Sequence, residues 1–243
     1  MISASKPIER RDCADAFRSA RSSLPEFGRC DETQDIDSRP IRPIEPASAW
    51  ESPGNRRNIS RLNRAALLMD LQVDFLASTG ARMPVGEPDA SRVIALANQV
   101  LDGTLLPGCL PILVVNEFPR SDRIGNLFRH GAAIAGTPGS ALDARIRSRP
   151  DVMIVPKRQP SAFTNPALDA ALKAGAVTEL WVLGVFAEAC VRATAVDGMR
   201  RGYSVVVSID GIGTNCQIKR NYAVWALRRA GVRVIPSLRA QPE

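Results

Sequence analysis

Three side chains in this sequence have both the type and the placement to do chemistry together: Asp70, Lys157 and Cys190. Asp70 and Lys157 stand just after short apolar runs over 65–69 and 152–155, and Cys190 opens the helix expected after a third run over 179–183. If those runs are parallel strands, ligands bind outside their carboxyl ends. A carboxylate, an ammonium and a thiol then meet at one edge of one sheet. A thiol attacks as thiolate, with an unperturbed pKa near ~8.5. A helix N-terminus and a neighbouring ammonium both favour the thiolate, so a depressed pKa is expected for Cys190. A carboxylate within reach takes the thiol proton and returns it to a leaving amine. The lysine holds that carboxylate and stabilises negative charge in the transition state, while backbone N–H groups at the turn offer an oxyanion hole.

Each residue also has a plain structural reading. Buried cysteines commonly serve as small hydrophobes, which fits Cys109 and Cys216, while Cys13 and Cys30 read as exposed thiols. An Asp after a strand is often a turn or cap residue, and a lysine there is usually solvated. The joint placement of the three carries the chemical reading. The single histidine, His130, rules out a multi-histidine metal site and any Ser-His or Cys-His pair that does not use it. The five cysteines form no CxxC, so neither a zinc site nor a disulfide framework is suggested.

The net charge is +7. Residues 1–60 hold ten basic and ten acidic side chains, so the excess lies in 61–243, spread thinly and without a dense stripe interleaved with aromatics. Nucleic acid is not the expected partner. No apolar run approaches the roughly 20 residues that span a bilayer, and the polar opening segment is neither a secretory signal nor a transit peptide. A cytoplasmic protein without membrane contact is expected.

The elements that must position the three residues begin near residue 64. Residues 1–62 carry six prolines and no sustained periodicity, and read as an arm, largely disordered or wrapped on a neighbouring subunit. Beyond it, strands are expected at 65–69, 110–115, 152–155, 179–183, 204–209 and 232–235. Helices are expected at 90–106, 139–148, 165–174, 188–201 and 216–230, with Pro107-Gly108 stopping the first and Asn165 capping the third. Continuous apolar strands alternating with helices indicate an α/β fold: a three-layer, Rossmann-like domain over 63–238 with a mostly parallel sheet. Asn116 and Glu117 follow the second strand.

Four segments resemble the isochorismatase-like, or cysteine hydrolase, superfamily. Met69-Asp70-Leu71-Gln72-Val73-Asp74-Phe75 is similar to its D-x-Q-x-D-F opening. Gly136-Thr137-Pro138-Gly139 resembles its G-T-x-G turn, and Lys157-Arg158-Gln159-Pro160-Ser161-Ala162-Phe163 its K-x-x-x-S-A-F segment. Gly184-Val185-Phe186-Ala187-Glu188-Ala189-Cys190-Val191 resembles its nucleophile turn. The resemblance covers about 64–236 and implies Cys190 as nucleophile, Asp70 as general base and acid, and Lys157 as third member. It implies a non-proline cis bond at Val185–Phe186 that aims amides, including that of Cys190, at the oxyanion. It implies a pocket lined by Phe75 and Phe163, with Gln72 and Asn116 beside them. The family includes nicotinamidases, N-carbamoylsarcosine amidases, biuret hydrolases and isochorismatases, commonly dimers or tetramers.

The departures bear on the substrate. Nicotinamidases carry a D-x-H metal motif where this chain has Asn116-Glu117-Phe118-Pro119-Arg120, so no metal and no cofactor is expected. Glu117 or Asp122 could meet a cation, but each also reads as a solvated loop acid. His130 lies where the family often has a pocket histidine, and reads as structural. Three functions stay open. One is metal-independent cleavage of a C–N bond in a small amide or ureide through a thioester. Another is vinyl ether hydrolysis of the isochorismatase type, with Asp70 as acid and Cys190 dispensable. The third is a silent member used for binding.

Overall fold

The structure, a computed structural model, describes residues 63–240. The arm expected over 1–62 lies outside the described residues. The chain begins with β1 (Arg64–Met69), followed by a one-turn helix α1 (Val73–Leu76) and the longer α2 (Asp89–Leu101). Next come β2 (Leu110–Asn116), the short α3 (Arg123–Phe128) and β3 (Met153–Lys157). Helix α4 (Pro166–Ala174) leads to β4 (Glu179–Val185), and a π-helical turn (Ala187–Val191) runs into α5 (Arg192–Arg200). The chain closes with β5 (Ser204–Ser208), the two-residue β6 (Ile212–Gly213), α6 (Gln217–Arg229) and β7 (Arg233–Ile235).

All strand pairs are parallel, in the order β3-β2-β1-β4-β5-β7, with β6 beside the end of β4. The chain steps outward from β1 to β3, then crosses back to β4 on the other side of β1. That reversal is the switch point at which open α/β sheets bind ligands. Both faces of the central strands are covered, which is why β1 and β4 read as unbroken apolar runs. Ala66, Leu68, Leu113, Trp181 and Leu183 pack into one layer with Val93, Ile94 and Ala97 of α2. Ala65, Leu67, Met69, Val114 and Val182 pack into the other with Leu168 and Leu172 of α4, Ala195 of α5 and Leu227 of α6. Each fully buried leucine in these layers contributes about 1.5–3 kcal/mol relative to an exposed one.

The strands fall within two residues of their expected bounds. The helices depart more. The first ends at Leu101, not 106, because the backbone turns left-handed at Gly103 (φ 78°), ahead of the expected stop at Pro107-Gly108. No helix forms over 139–148. Only a 3-10 turn, Pro138–Ser140, is present, followed by chain tied to distant partners. Asn98 of α2 accepts from the Arg147 amide at 2.8 Å and donates to the Arg145 carbonyl at 2.8 Å. Backbone groups held from outside have no need of an i→i−4 partner. The helix expected from Glu188 begins instead as the π turn.

Candidate active site

The three strand ends converge. Lys157 is the last residue of β3, its side chain fully buried, and its Nζ reaches three acceptors. It donates to Asp70 Oδ2 at 3.1 Å, to Cys190 Sγ at 3.2 Å and to Asn116 Oδ1 at 2.5 Å. An ammonium has three N–H groups, so its donor capacity is filled. Asp70 stands one residue past β1 in a left-handed backbone (φ 56°) that ends the strand, and its amide donates to Val114 O at 2.8 Å. Aspartate tolerates that region better than most residues. Its carboxylate is buried, and Oδ1 has no hydrogen-bond partner among the described residues. Cys190 sits inside the π turn, where the Val191 amide bonds back to Phe186 O at 3.2 Å. Of the three, only the cysteine is partly exposed. Asp70 and Lys157 are buried, and Cys190 is the least buried of the three.

The protonation states follow from this burial. Desolvation pushes the Cys190 thiol up to about 12, the Asp70 carboxylate adds to the rise, and Lys157 opposes it. This corrects the expected depressed pKa: the helix end and one ammonium do not outweigh burial beside a carboxylate. Burial also raises the pKa of Asp70, against the pull of Lys157. For Lys157 burial works against the charge, yet Asp70 and the sulfur win and hold its pKa above the ordinary value. Burial thus favours the protonated thiol of Cys190 and makes Asp70 a stronger base, while Asp70 and the sulfur favour the charged form of Lys157 bonded to both.

The other expected site residues take varied positions. The Val185–Phe186 bond is cis, at the junction of β4 and the π turn. Phe75 and Phe186 are buried and meet edge to face with centroids 5.7 Å apart. The ring of Phe163 is engaged elsewhere, stacked on Tyr203 at 5.9 Å and lying under Arg201 at 4.7 Å. Gln72 is a clamp and not a free pocket group. Its amide nitrogen donates to the carbonyls of Asn116 at 2.8 Å and Ser140 at 2.7 Å, and its oxygen accepts from the Asn116 amide at 2.8 Å. Glu117 is exposed, and Asp122 caps α3 and pairs with Arg129. His130 lies in a left-handed turn after α3 and makes none of the bonds that join the three residues.

Two supports escaped the sequence reading. Asp74 is buried and accepts from the Ala133 amide at 2.9 Å. A Cβ on Gly139 would stand 2.0 Å from Asp74 Oδ2, so glycine in the G-T-x-G turn makes room for that carboxylate. Asn116, expected as pocket lining, instead holds Lys157. The signal available in the sequence was a polar residue ending an otherwise apolar strand. No group of three or more His, Cys, Asp or Glu among the described residues could hold a metal ion.

The Isochorismatase domain family matches residues 64–237. The chain belongs to the isochorismatase family. Within it, the chain is 32% identical over 160 residues to a probable inactive nicotinamidase of Arabidopsis thaliana, covering 60% of this chain and 78% of that protein. It is 31% identical over 152 residues to a streptothricin hydrolase of Streptomyces noursei, covering 62% of this chain and 54% of the relative. Among solved isochorismatase-like folds, the hydrolase of Alkaliphilus metalliredigens superposes with a TM-score of 0.64 at 23% identity, over 71% of this chain and 94% of its own. The N-carbamoylsarcosine amidase of Thermoplasma acidophilum gives 0.63 at 23%, over 74% and 98%.

Proposed function

We propose that this isochorismatase-family hydrolase is a cysteine amidohydrolase, cleaving a C–N bond of a small amide or ureido compound through a thioester on Cys190. The supporting observation is one ammonium, Lys157, bonded at once to the carboxylate of Asp70 and the sulfur of Cys190, the cysteine being the one of the three residues that is not fully buried. The Cys190 proton passes to Asp70 as sulfur attacks the carbonyl carbon. The C–N bond then breaks, and the amine or ammonia leaves with the proton from Asp70. Water attacks the thioester, gives its proton to Asp70, and the acid departs as Cys190 recovers its hydrogen. Burial raises the Cys190 pKa, so the thiol needs Asp70 as its base. Lys157 and amides near the cis bond offset the oxyanion's charge. The amide and ureide substrates follow the relatives' names, streptothricin hydrolase and N-carbamoylsarcosine amidase.

The raised pKa of Asp70 also favours a second reading, a vinyl ether hydrolase in which Asp70 is the acid. The two differ in their need for sulfur. Cys190→Ala is expected to abolish turnover of a panel of small amides and ureides while circular dichroism stays native. Full amide turnover by that variant would defeat the thioester mechanism. Hydrolysis of isochorismate that survives alkylation of Cys190 would establish the second reading.

A further inference from the structure

Asn116 does not fit the part of a pocket wall. It ends β2 directly opposite Lys157 in the β2–β3 register. Its Oδ1 accepts from Lys157 Nζ at 2.5 Å, shorter than the bonds to Asp70 or Cys190. Its backbone is held from both sides, with the N–H donating to Gln72 Oε1 and the C=O accepting from Gln72 Nε2, each at 2.8 Å. Gln72 is in turn held by the Ser140 carbonyl. A rigid chain of bonds therefore runs from the 138–140 turn through Gln72 and Asn116 to the ammonium.

The chemistry explains why an amide suits this place. A lysine side chain has large rotamer freedom, and a buried ammonium must have every N–H occupied. Asp70 and Cys190 cannot be the whole cage, because both change charge or bonding during proton transfer. A neutral acceptor holds the third N–H without competing for the proton and without adding negative charge beside the sulfur. We infer that Asn116 is the positioning residue of this site: it fixes the Lys157 ammonium between Asp70 and Cys190 through the whole cycle and contacts no substrate. This rests on the amidohydrolase reading for its catalytic consequence, but its physical content concerns only the lysine and the sulfur.

Two variants of the full chain test it, Asn116→Leu, close in shape without an acceptor, and Asn116→Asp, an acceptor with a charge. The readout is the rate of iodoacetamide alkylation at Cys190, followed by peptide mass spectrometry between pH 7 and 9, which needs no substrate. Both variants are expected to slow alkylation by about tenfold at every pH, since a mobile ammonium or an added anion stabilises the thiolate less. On any amide the enzyme turns over, kcat is expected to fall and KM to stay within about twofold, because binding to the pocket is untouched. Alkylation rates equal to the unaltered protein in both folded variants would overturn the inference. So would a raised KM with unchanged alkylation, which would return Asn116 to the pocket wall. If no amide is hydrolysed at all, the amidohydrolase reading fails while the alkylation comparison still decides the role of Asn116.

Discussion

Lys157 is the residue on which the others depend. Asp70 must be ionised to accept the thiol proton, and burial raises its pKa above the ordinary carboxylate value of about 3.9. As pH falls, Asp70 therefore protonates earlier than a solvated aspartate would. The acid limb of kcat/KM is expected above the ordinary carboxylate range, with activity lost as pH drops through it. Lys157→Met removes the only cation bonded to Asp70 among the described residues, so this limb should move further toward neutral pH and kcat/KM should fall by at least about 100-fold. A limb at or below pH 4 in the unaltered enzyme, or one that does not move in Lys157→Met, would contradict these protonation states. Asp70, Lys157 and Cys190 were legible in the sequence because reactive side chains after apolar runs are few. Gln72 as a clamp was not. Its partners are backbone atoms 44 and 68 residues away, and an amide leaves no periodic trace.

At the level of elements, the edge of β4 is where the site tolerates least change. Gly184 pairs with Met69, has φ 117°, and a Cβ there would stand 2.2 Å from the Met69 carbonyl oxygen, which is backbone and cannot swing aside. Gly184→Ala is expected to destabilise the fold by about 3 kcal/mol or more, read as a lowered melting temperature or as loss of soluble protein. A melting temperature within a degree of the parent would contradict the packing of β1 against β4. The strands were legible because both their faces are apolar, and periodicity needs nothing from elsewhere. The chain between β2 and β3 was not. Its order comes from Asp74 holding Ala133, from Asn98 holding Arg145 and Arg147, and from Asp143 pairing with Arg145. All but the Asp143–Arg145 pair are contacts between distant segments, and a local pattern at 139–148 cannot reveal them.

For the whole molecule, the layer architecture was readable from the alternation of strands and helices. The strand order was not, since it follows from which way each crossover steps. It is this order that sets β1 between β2 and β4 and brings three loops to one edge. One exposed apolar face among the described residues lies on α3. Ile124, Leu127 and Phe128 line one side of α3, each about three-quarters exposed. Apolar clusters of this kind mark association surfaces. Light scattering is expected to report a dimer or tetramer, and Leu127→Asp with Phe128→Asp to shift it toward monomer. A monomer in the unaltered protein would contradict this use of α3. The claim beneath all of the chemistry is that Cys190 becomes acylated. Rapid quenching with a pool of small amides and ureides, followed by intact-mass analysis, tests it most directly. The expected result is a mass increase equal to one acyl group, located on Cys190 and absent from Cys190→Ala. Product formation with no such adduct at any time, at full activity in the alanine variant, would contradict it.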